Sequence, residues 1–322
     1  MQPHHKQQTL LVADVGGTNA RFAIASDGAS HITQVRRLAS ADFTSLSQAL
    51  ATYVASLPPT ITLTGACLAV AGPVTAGSAN LTNLGWQASE AQLSEQLGVP
   101  VRLINDFVAY AYSVPQLPPD QIQCIKAGEA LAEAPLVVLG PGTGFGVARL
   151  LPQIGGWQVT PCEGGHMGLA ANNDVQVAIL GQLQQMLPHV NVESVLCGSG
   201  LINLYRAMAR IEGQAARFDM PAQLTNAAAN GDSLAVRTVA LFCQWLGTVA
   251  GDLVLAHGAR GGVWLGGGIL PRIVDALQAS GFNDAFVDKG LMVDYMTPVP
   301  VHLALKSDTA VIGAAAYYLD RL

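Results

Sequence analysis

The stretch of sequence that decides the fold is "LLVADVGGTNARFAIAS", from Leu10 to Ser26. Two apolar runs, Thr9–Ala13 and Arg21–Ala25, are separated in it by the short spacer "DVGGTNA". A glycine-centred spacer between two such runs is typical of a β-hairpin. Asp14 stands at the end of the first run and Arg21 at the start of the second. The sequence therefore predicts a glycine hairpin with a carboxylate at a strand end.

A second hairpin of the same kind is predicted in the middle of the chain. Leu136–Leu139 runs into "GPGTGFG", and a further apolar run, Val147–Leu151, follows. Gly142 lies roughly 125 residues after Gly17. Strands and helices are mixed along the chain, so the pattern predicts a duplicated α/β unit with a cleft between the copies. Open α/β sheets bind ligands beyond the carboxyl ends of their strands.

Both glycine turns are candidate phosphate sites. Backbone N–H groups in a tight glycine turn can point at one anion, because no Cβ blocks the approach. Thr18 and Thr143 can each add a hydroxyl donor. Neither turn has the lysine of a Walker A loop or the G-x-G-x-x-G spacing between a strand and a helix. The alternative is that any β-hairpin favours Gly-Gly or Asn at its turn.

Asp14 is a candidate Mg2+ ligand. A carboxylate at a strand end beside phosphate donors can hold this ion directly or through water. The alternative is an aspartate that bonds its own backbone at the turn. For Arg21 two interpretations stay open, namely a phosphate contact or an ion pair with a carboxylate.

Composition limits the function classes. The chain has 322 residues, 50% of them hydrophobic, which suffices for two domains or one large one. A charged fraction of 12% and a net charge of -6 argue against a nucleic-acid partner. The five scattered cysteines indicate reduced core thiols. The start "MQPHHKQQ" is not a signal peptide, and no uncharged apolar run reaches the ~18 residues of a membrane helix. We therefore expect a cytoplasmic protein with no membrane partner.

The motif "INDFVAYA" is a candidate catalytic element. It puts Asn105 and Asp106 where the buried strand Val101–Ile104 ends and a helix begins. Asp and Asn are also favoured helix N-caps, so the capping interpretation is strong. The functional interpretation is a general base, since a hydroxyl attacking the γ-phosphorus must lose its proton to a nearby carboxylate.

Two further motifs suggest ligand contacts. In "CEGGHMG", Glu163 and His166 combine an acceptor with a group that can donate, a combination that suits a ligand with several hydroxyl groups. A lone histidine is otherwise a satisfied buried imidazole, and a pair of ligands is weak evidence for a metal. In "WLGGGI", Gly266–Gly268 follow a strand and precede a helix from Pro271, which allows a flat ring and ribose to approach. The alternative is an ordinary strand–helix turn.

Taken in order, the motifs resemble one enzyme family. "ADVGGTNAR", "AGPV", "LTNLGW", "LINDF", "GPGTGFGVA", "CEGGHMG", "ESVLCGSGLINLYRA" and "GGVWLGGGI" are similar to those of bacterial ATP-dependent glucokinases, in the hexokinase/actin-like ATPase superfamily. The similarity runs from about Leu11 to Gly313. It implies an α/β fold of two ribonuclease-H-like (actin-like ATPase) domains around a hinged cleft. The expected bounds are 1–108 plus 307–322 for the small domain and 109–306 for the large one.

The resemblance also implies an activity. Glucose and MgATP would give glucose 6-phosphate and ADP, usually in a homodimer that feeds glycolysis. A related group of sugar kinases and repressors has a cysteine-rich zinc motif and, in the repressors, a DNA-binding domain. Here no cysteine cluster follows "EGGHMGLAANNDVQ", and about eight residues precede the first strand. Both departures point away from that group.

Residue roles follow from the resemblance. Asp106 is the implied catalytic base and Asp14 the implied Mg2+ ligand. The implied sugar ligands are Asn83, Asn105, Asp106, Glu163, His166 and Glu193. The implied ATP-binding residues are Asp14, Gly16, Gly17, Thr18, Asn19, Gly142, Thr143, Gly144, Gly267 and Gly268. Without the resemblance, Glu193 would be interpreted as an ordinary carboxylate on a helix surface or at a helix cap. For Trp86 two interpretations stay open, namely a residue that lines the sugar cleft or one that packs in the core.

Two alternatives to a glucokinase stay open on the sequence. One is a kinase of the same fold that acts on another hexose or an N-acetyl hexosamine. The other is a sugar-responsive regulator or nucleotide-binding module without useful kinase activity. The set of Asp106, Glu163, His166 and Glu193 argues against the second.

Overall fold

The computed structural model describes residues 8–81, 84–154, 156–306 and 309–321. The chain divides into two compact units. Unit 1 comprises Met1–Pro118, Gln153–Val159 and Asp308–Leu322, and unit 2 comprises Pro119–Pro152 and Thr160–Ser307. Unit 1 thus extends beyond the expected 1–108, because the helix that begins at Asp106 continues to Ser113 within it.

Unit 1 is built on a mixed sheet. Its strands are β1 (Thr9–Val15), β2 (Asn19–Ser26), β3 (Ile32–Ala39), β4 (Gly65–Val70), β5 (Val74–Thr75), β6 (Ser78–Leu81), β7 (Trp86–Ser89) and β8 (Val101–Asn105), and its first helices are α1 (Leu46–Ala55), α2 (Glu90–Leu97) and α3 (Asp106–Ser113). The main sheet has the order β3-β2-β1-β4-β8. The pairs β1–β2 and β2–β3 are antiparallel, whereas β1, β4 and β8 are parallel. Strands β5, β6 and β7 form a separate small sheet.

Sequence patterns explain the unit 1 elements. Strand β4, "GACLAV", is buried at every position, as expected for a central parallel strand. Helix α1 begins after Ser45, whose side chain accepts a hydrogen bond from Gln48 N, and α2 ends at Gly98 in the left-handed conformation. Trp86 is only 3% exposed and packs in the unit 1 core, which favours the packing interpretation for this residue.

Unit 2 repeats the sheet order of unit 1. Its strands are β9 (Ile122–Lys126), β10 (Leu136–Pro141), β11 (Phe145–Gln153), β13 (Gly262–Leu265) and β14 (Val301–Ala304). The edge strand of the same sheet, β12 (Gly156–Cys162), is divided between the units, with its residues up to Val159 assigned to unit 1. The sheet has the order β12-β11-β10-β13-β14-β9. Strands β10 and β11 are antiparallel, and β10, β13 and β14 are parallel. Apart from the added edge strand β9, this is the arrangement of unit 1, so the expected duplication of an α/β unit is present.

The helices of unit 2 surround its core. They are α4 (Asp174–Met186), α5 (Gly198–Ile211), α6 (Pro221–Ala229), α7 (Ser233–His257), α8 (Val274–Ala279), α9 (Phe282–Val287) and α10 (Val293–Met296). Helix α7 has 25 residues and is long and apolar enough to cross a membrane by length and composition, and 72% of its apolar window is buried inside the protein. It contributes Phe242, Trp245 and Leu246 to the largest core cluster. The expectation of no membrane partner stays a prediction.

The last helix, α11 (Ala310–Leu319), returns to unit 1 and packs on α3, β1 and β4. A side chain at Gly313 would collide with the backbone carbonyl of Ala109 in α3, so only glycine allows this approach. The buried hydroxyls of Ser113 and Thr309 are hydrogen-bonded at 2.7 Å beside it. Helix α3 is therefore held along its length by α11.

Some predicted elements differ in their bounds. "LTNLGW", predicted to be a loop, ends β6 at Leu81 and begins β7 at Trp86. The helix expected from Pro271 is a 3-10 turn, Leu270–Arg272, before α8. Of the five free cysteines, Cys124 is exposed rather than in the core.

Candidate active site

The first glycine turn lies between β1 and β2 in unit 1. Gly16 N donates to the carbonyl of Asn19 at 2.9 Å, and Gly17 and Thr18 are exposed. Ser40, which is buried, holds the turn from behind: its N–H donates to the Thr18 carbonyl at 3.0 Å and its hydroxyl to the Gly16 carbonyl at 3.1 Å. Since two carbonyls of the turn are engaged there, they do not oppose an anion approaching the N–H groups.

Asp14 and Asp106 lie at the same edge of the unit 1 sheet. Val15 pairs with Val70, and Val70 pairs with Asn105, so the carboxyl ends of the three parallel strands are in register. Asp14 precedes Val15, and Asp106 follows Asn105 as the first residue of α3. This is the edge at which α/β sheets bind ligands. Arg21 lies directly opposite Asp14 in β2.

The carboxyl group of Asp106 is unusually basic. Burial raises its pKa to about 6, and the negative charge of Asp14 acts in the same direction. Hydrogen bonds from Phe107 N at 2.8 Å and Asn105 Nδ2 at 3.0 Å, both to Oδ1, offset part of this rise. A carboxylate with a pKa near the working pH is well suited to accept a proton.

Asn105 is the N-cap of α3. Its Oδ1 accepts from Phe107 N at 2.9 Å and Val108 N at 3.2 Å, and its Nδ2 also donates to the Gly72 carbonyl at 3.1 Å. The capping alternative therefore applies to Asn105, and through it to the orientation of Asp106. The sugar-binding role implied for Asn105 stays a prediction.

The second glycine turn lies between β10 and β11 in unit 2. Gly142 N donates to the Gly144 carbonyl at 2.8 Å, and Thr143 is exposed. Gly198 N, at the start of the 14-residue helix α5, donates to the Gly142 carbonyl at 2.9 Å. The positive end of the α5 dipole is thus next to the turn, which favours an anion there.

Gly267 lies directly against this turn. It has a left-handed φ of +82°, and a Cβ at this position would collide with the carbonyl of Pro141. Gly266 N donates to the Leu139 carbonyl at 2.9 Å. Gly268 differs, because a Cβ there would have no atom within 4 Å. The structure therefore brings the two predicted nucleotide motifs of unit 2 together, and the fold itself requires glycine at 267.

Glu193 supports the second turn. It lies in the 3-10 helix Val192–Ser194, and its Oε2 accepts a hydrogen bond from Phe145 N at 2.7 Å. A Cβ on Gly144 would lie 2.6 Å from the same oxygen. Glu193 is thus not the ordinary surface carboxylate of the alternative interpretation, since one of its oxygens fixes the turn. Its implied contact with sugar stays a prediction.

Glu163 and His166 flank a close backbone approach. Gly164 and Gly165 between them are buried, and Cβ atoms there would lie 2.7 Å from Val147 Cγ2 and 2.6 Å from the Phe145 carbonyl. The two glycines therefore let the segment lie against β11 while Glu163 and His166 stay exposed. The exposed ring of His166 does not fit the alternative of a buried, satisfied imidazole.

The predicted residues fall into two groups, each within one unit. Unit 1 holds Asp14, Gly16, Gly17, Thr18, Asn19, Asn105 and Asp106, and unit 2 holds Gly142, Thr143, Gly144, Glu163, His166, Glu193, Gly267 and Gly268. Asn83 lies outside the described residues. Sequence reasoning missed three supporting residues, namely Ser40, Asn191 and Cys197. The last two are N-caps in the structure, and small polar residues before a helix were the available signal.

The residues present fit a nucleotide with Mg2+. Within the described ranges, no group of three or more His, Cys, Asp or Glu side chains is placed to hold a metal. Mg2+ does not need such a group, because it keeps several waters and binds one or two carboxylates together with phosphate oxygens. Asp14, the implied Mg2+ ligand, provides one such carboxylate two residues before the glycine turn.

This fold and these residues define a sugar kinase of the two-domain ATPase class, a phosphotransferase. The glucokinase family model matches residues 11–321, and the chain belongs to the glucokinase family. The glucokinase of Chromohalobacter salexigens is 41% identical over 305 residues, covering 94% of this chain and 95% of that protein.

Two solved structures have the same fold. A crystal structure of a glucokinase from an Antarctic psychrotroph is 42% identical, covers 97% of this chain and 99% of that one, and has a TM-score of 0.91. A ROK family glucokinase from Streptomyces griseus, solved in complex with glucose and AMPPNP, is 17% identical, covers 96% of this chain and 98% of that one, and shares the fold at a TM-score of 0.65. The predicted family and fold class are confirmed.

Proposed function

We propose that the protein is an ATP-dependent glucokinase, which transfers the γ-phosphoryl group of MgATP to the 6-hydroxyl of glucose to give glucose 6-phosphate and ADP. Besides family membership, the observation that carries the proposal is Asp106. This residue stands at the carboxyl edge of the unit 1 sheet beside Asp14, with its pKa raised to about 6.

Asp106 is the general base of the proposed reaction. Its carboxylate accepts the proton of the 6-hydroxyl as that oxygen attacks the γ-phosphorus, and the bond from phosphorus to the bridging oxygen of ADP breaks. Nδ2 of Asn105 donates a hydrogen bond to Oδ1 of the Asp106 carboxylate at 3.0 Å. The raised pKa strengthens Asp106 as a proton acceptor and leaves it mainly ionised above pH 6.

Sugar hydroxyls are recognised by hydrogen bonds in this proposal. Glu163, His166 and Glu193 in unit 2, with Asn83, Asn105 and Asp106 in unit 1, are the proposed ligands. The sequence is only 6% aromatic, so most of the discrimination rests on polar groups. A site of this kind penalises an analogue that lacks one hydroxyl, because its own polar groups are then left unpaired.

The two glycine turns and Gly267 and Gly268 are proposed to bind ATP. Gly16 N and Gly142 N already donate within their turns, so the proposed donors for phosphate oxygens are the N–H groups of the exposed residues Gly17, Thr18 and Thr143. The hydroxyls of Thr18 and Thr143 are further donors. Asp14 is the proposed protein ligand for Mg2+, which would neutralise phosphate charge when bound. That AMPPNP, an ATP analogue, is bound in the Streptomyces griseus glucokinase supports the choice of nucleotide.

The decisive experiment is ADP release from MgATP in a coupled assay. Glucose, mannose, fructose, galactose, glucosamine and N-acetylglucosamine are offered in parallel. Strong turnover on glucose alone supports the proposal. Preferred turnover on another sugar would reassign the substrate, and folded protein without turnover on any sugar would favour a binding or regulatory role.

Three further expectations rest on the resemblance. We propose that the protein forms a homodimer, acts in the cytoplasm at the entry to glycolysis, and has no nucleic-acid or membrane partner. The net charge of -6 supports the lack of a nucleic-acid partner. Sedimentation at several protein concentrations tests the dimer.

A further inference from the structure

The exposed ring of His166 is hydrogen-bonded to Asn191 in unit 2. Nδ2 of Asn191 lies 3.3 Å from Nδ1 of His166. Asn191 is the N-cap of the 3-10 helix Val192–Ser194, which packs on the 3-10 turn Gly164–His166. The strand-like bridge between Gly168 and Asn191 fixes the two segments to each other.

The orientation of the Asn191 amide is determined by its other contacts. Its Oδ1 accepts from Ser194 N at 2.9 Å and from the Ser194 hydroxyl at 2.8 Å. A backbone N–H can only donate, so the amide atom that faces it must be the oxygen. The atom that faces His166 is therefore the NH2 group.

The orientation of the amide dictates the tautomer of the imidazole. An amide NH2 only donates, so Nδ1 of His166 must accept and cannot carry a proton. In a neutral imidazole the proton is then on Nε2. We infer that Asn191 is a positioning residue, which holds His166 with a protonated Nε2 as a hydrogen-bond donor.

This arrangement gives the exposed side chains of His166 and Glu163 opposite hydrogen-bonding roles. Nε2 of His166 donates, whereas the carboxylate of Glu163, three residues earlier, only accepts. The inference about the tautomer stands on contacts within unit 2. The assignment of a sugar hydroxyl oxygen as the acceptor for Nε2–H rests on the proposed function.

Several charged or titratable groups lie on the segments that lead to His166 or pack on its 3-10 turn. Glu163 lies on its own segment, Glu193 on the facing 3-10 helix, and Cys162 and Arg149 on the strands that lead to it. A doubly protonated ring would place an N–H at Nδ1 against the NH2 of Asn191, so the contact between the two side chains would be lost.

The tautomer can be measured directly in the full-length protein. Imidazole 15N shifts are recorded at about pH 8, where imidazoles are neutral, and the His166 signals are assigned by their loss in His166→Gln. We expect a protonated Nε2 and an unprotonated Nδ1. A protonated Nδ1 would overturn the inference whatever the activity of the enzyme.

Asn191→Asp tests the consequence for glucose. Aspartate is as good an N-cap as asparagine, so the 3-10 helix is kept. A carboxylate accepts rather than donates, so the proton moves to Nδ1 and Nε2 loses its donor. We expect the Kd for glucose, measured calorimetrically without nucleotide, to rise about tenfold at about pH 8. Asn173→Asp, the same change at the cap of α4, should leave the Kd within about twofold.

Lower pH should restore the affinity of Asn191→Asp for glucose. At an acidic pH at which the 15N shifts show both imidazole nitrogens protonated, Nε2–H returns in Asn191→Asp. The ratio of its Kd to that of the wild type should then fall towards one, and taking the ratio removes effects of Asp106 that both proteins share. An equal ratio at both pH values would mean a steric effect and overturn the inference. The predicted tautomer in a protein that does not bind glucose would support the inference and sink the proposed function.

Discussion

The two glycine turns occupy the same place in two sheets of the same strand order, yet they are supported in different ways. In unit 1, the second pair of opposite strand residues from the turn is Asp14 on β1 and Arg21 on β2. The equivalent pair in unit 2 is Gly140 on β10 and Gly146 on β11. The first turn is held through its carbonyls by the neutral side chain and backbone of Ser40.

The second turn is held by a charged group and a helix. The carboxylate of Glu193 accepts from Phe145 N, and the start of α5 donates to Gly142. The difference teaches that the glycine turn is present in both units, whereas the proposed proton acceptor Asp106 and the proposed Mg2+ ligand Asp14 belong to unit 1. Four experiments test this division.

The largest effect is expected for Asp106→Asn. The amide keeps the bonds to Phe107 and Asn105 but cannot accept the proton, so kcat should fall roughly a thousandfold while glucose still binds. The pKa of Asp106 is raised to about 6 in the fold, so its charge costs stability increasingly from about pH 4 to 6 and fully above that. The variant should therefore melt no lower than wild type at pH 7.5.

Steady-state kinetics, calorimetry with glucose and thermal unfolding check these three expectations. Asp42→Asn, an exposed change in the same unit, is the control. A kcat within tenfold of wild type for Asp106→Asn would contradict the role of Asp106 as the general base. It would also contradict the proposal that unit 1 alone supplies the proton acceptor.

The next effect concerns the glycines after β13. Gly267→Ala forces a side chain into a left-handed position against the Pro141 carbonyl, which should destabilise the protein by about 2 kcal/mol and weaken ATP binding. Gly268→Ala meets no atom within 4 Å and should fold normally. Thermal unfolding and the KM for ATP are measured for both. Equal melting temperatures would show that the second turn tolerates movement.

The supports of the two turns are compared by Glu193→Gln and Ser40→Ala. Glutamine still accepts from Phe145 N, but without charge assistance, so the Kd for ADP should rise about five- to tenfold. Ser40→Ala keeps the backbone bond to Thr18 and should raise it less than about fivefold. ADP binding is measured without sugar, since Glu193 is also a proposed sugar ligand.

Ser45→Ala, which removes the cap of α1, is the control for a lost hydroxyl in unit 1. An equal or larger effect of Ser40→Ala would contradict the difference between a charged and a neutral support.

The smallest expected effect is a shift in the pKa of Asp106. The charge of Asp14 contributes to the raised pKa of Asp106, so Asp14→Asn should lower that pKa from about 6 and move its midpoint to more acidic pH. Carboxyl 13C shifts of Asp106 followed against pH give the midpoint without any need for activity. Asp42→Asn should leave it in place. An unchanged midpoint in Asp14→Asn would show that the charge of Asp14 does not affect the pKa of Asp106.

Local signals in the sequence predicted the two hairpins and the position of Asp106 at a strand–helix junction, because glycine turns and caps depend on adjacent residues. Ser40 was not predictable, since its partners Gly16 and Thr18 are more than twenty residues away in the chain. The contact of Glu193 with Phe145 spans 48 residues and was invisible for the same reason. Strand β3 is largely exposed, so it lacks the apolar pattern of a core strand.

The packing of α11 on α3 has a consequence for the order in which the chain can fold during synthesis. The hydroxyl pair Ser113–Thr309 joins residues 196 positions apart, and Gly313 fits against Ala109 in the same contact. Translation proceeds from the N-terminus, so all of unit 2 is made before the support of the helix that begins at Asp106 exists. We expect unit 2 to fold first on the ribosome, and the sheet edge that carries Asp106 to become rigid only after α11 has left the exit tunnel.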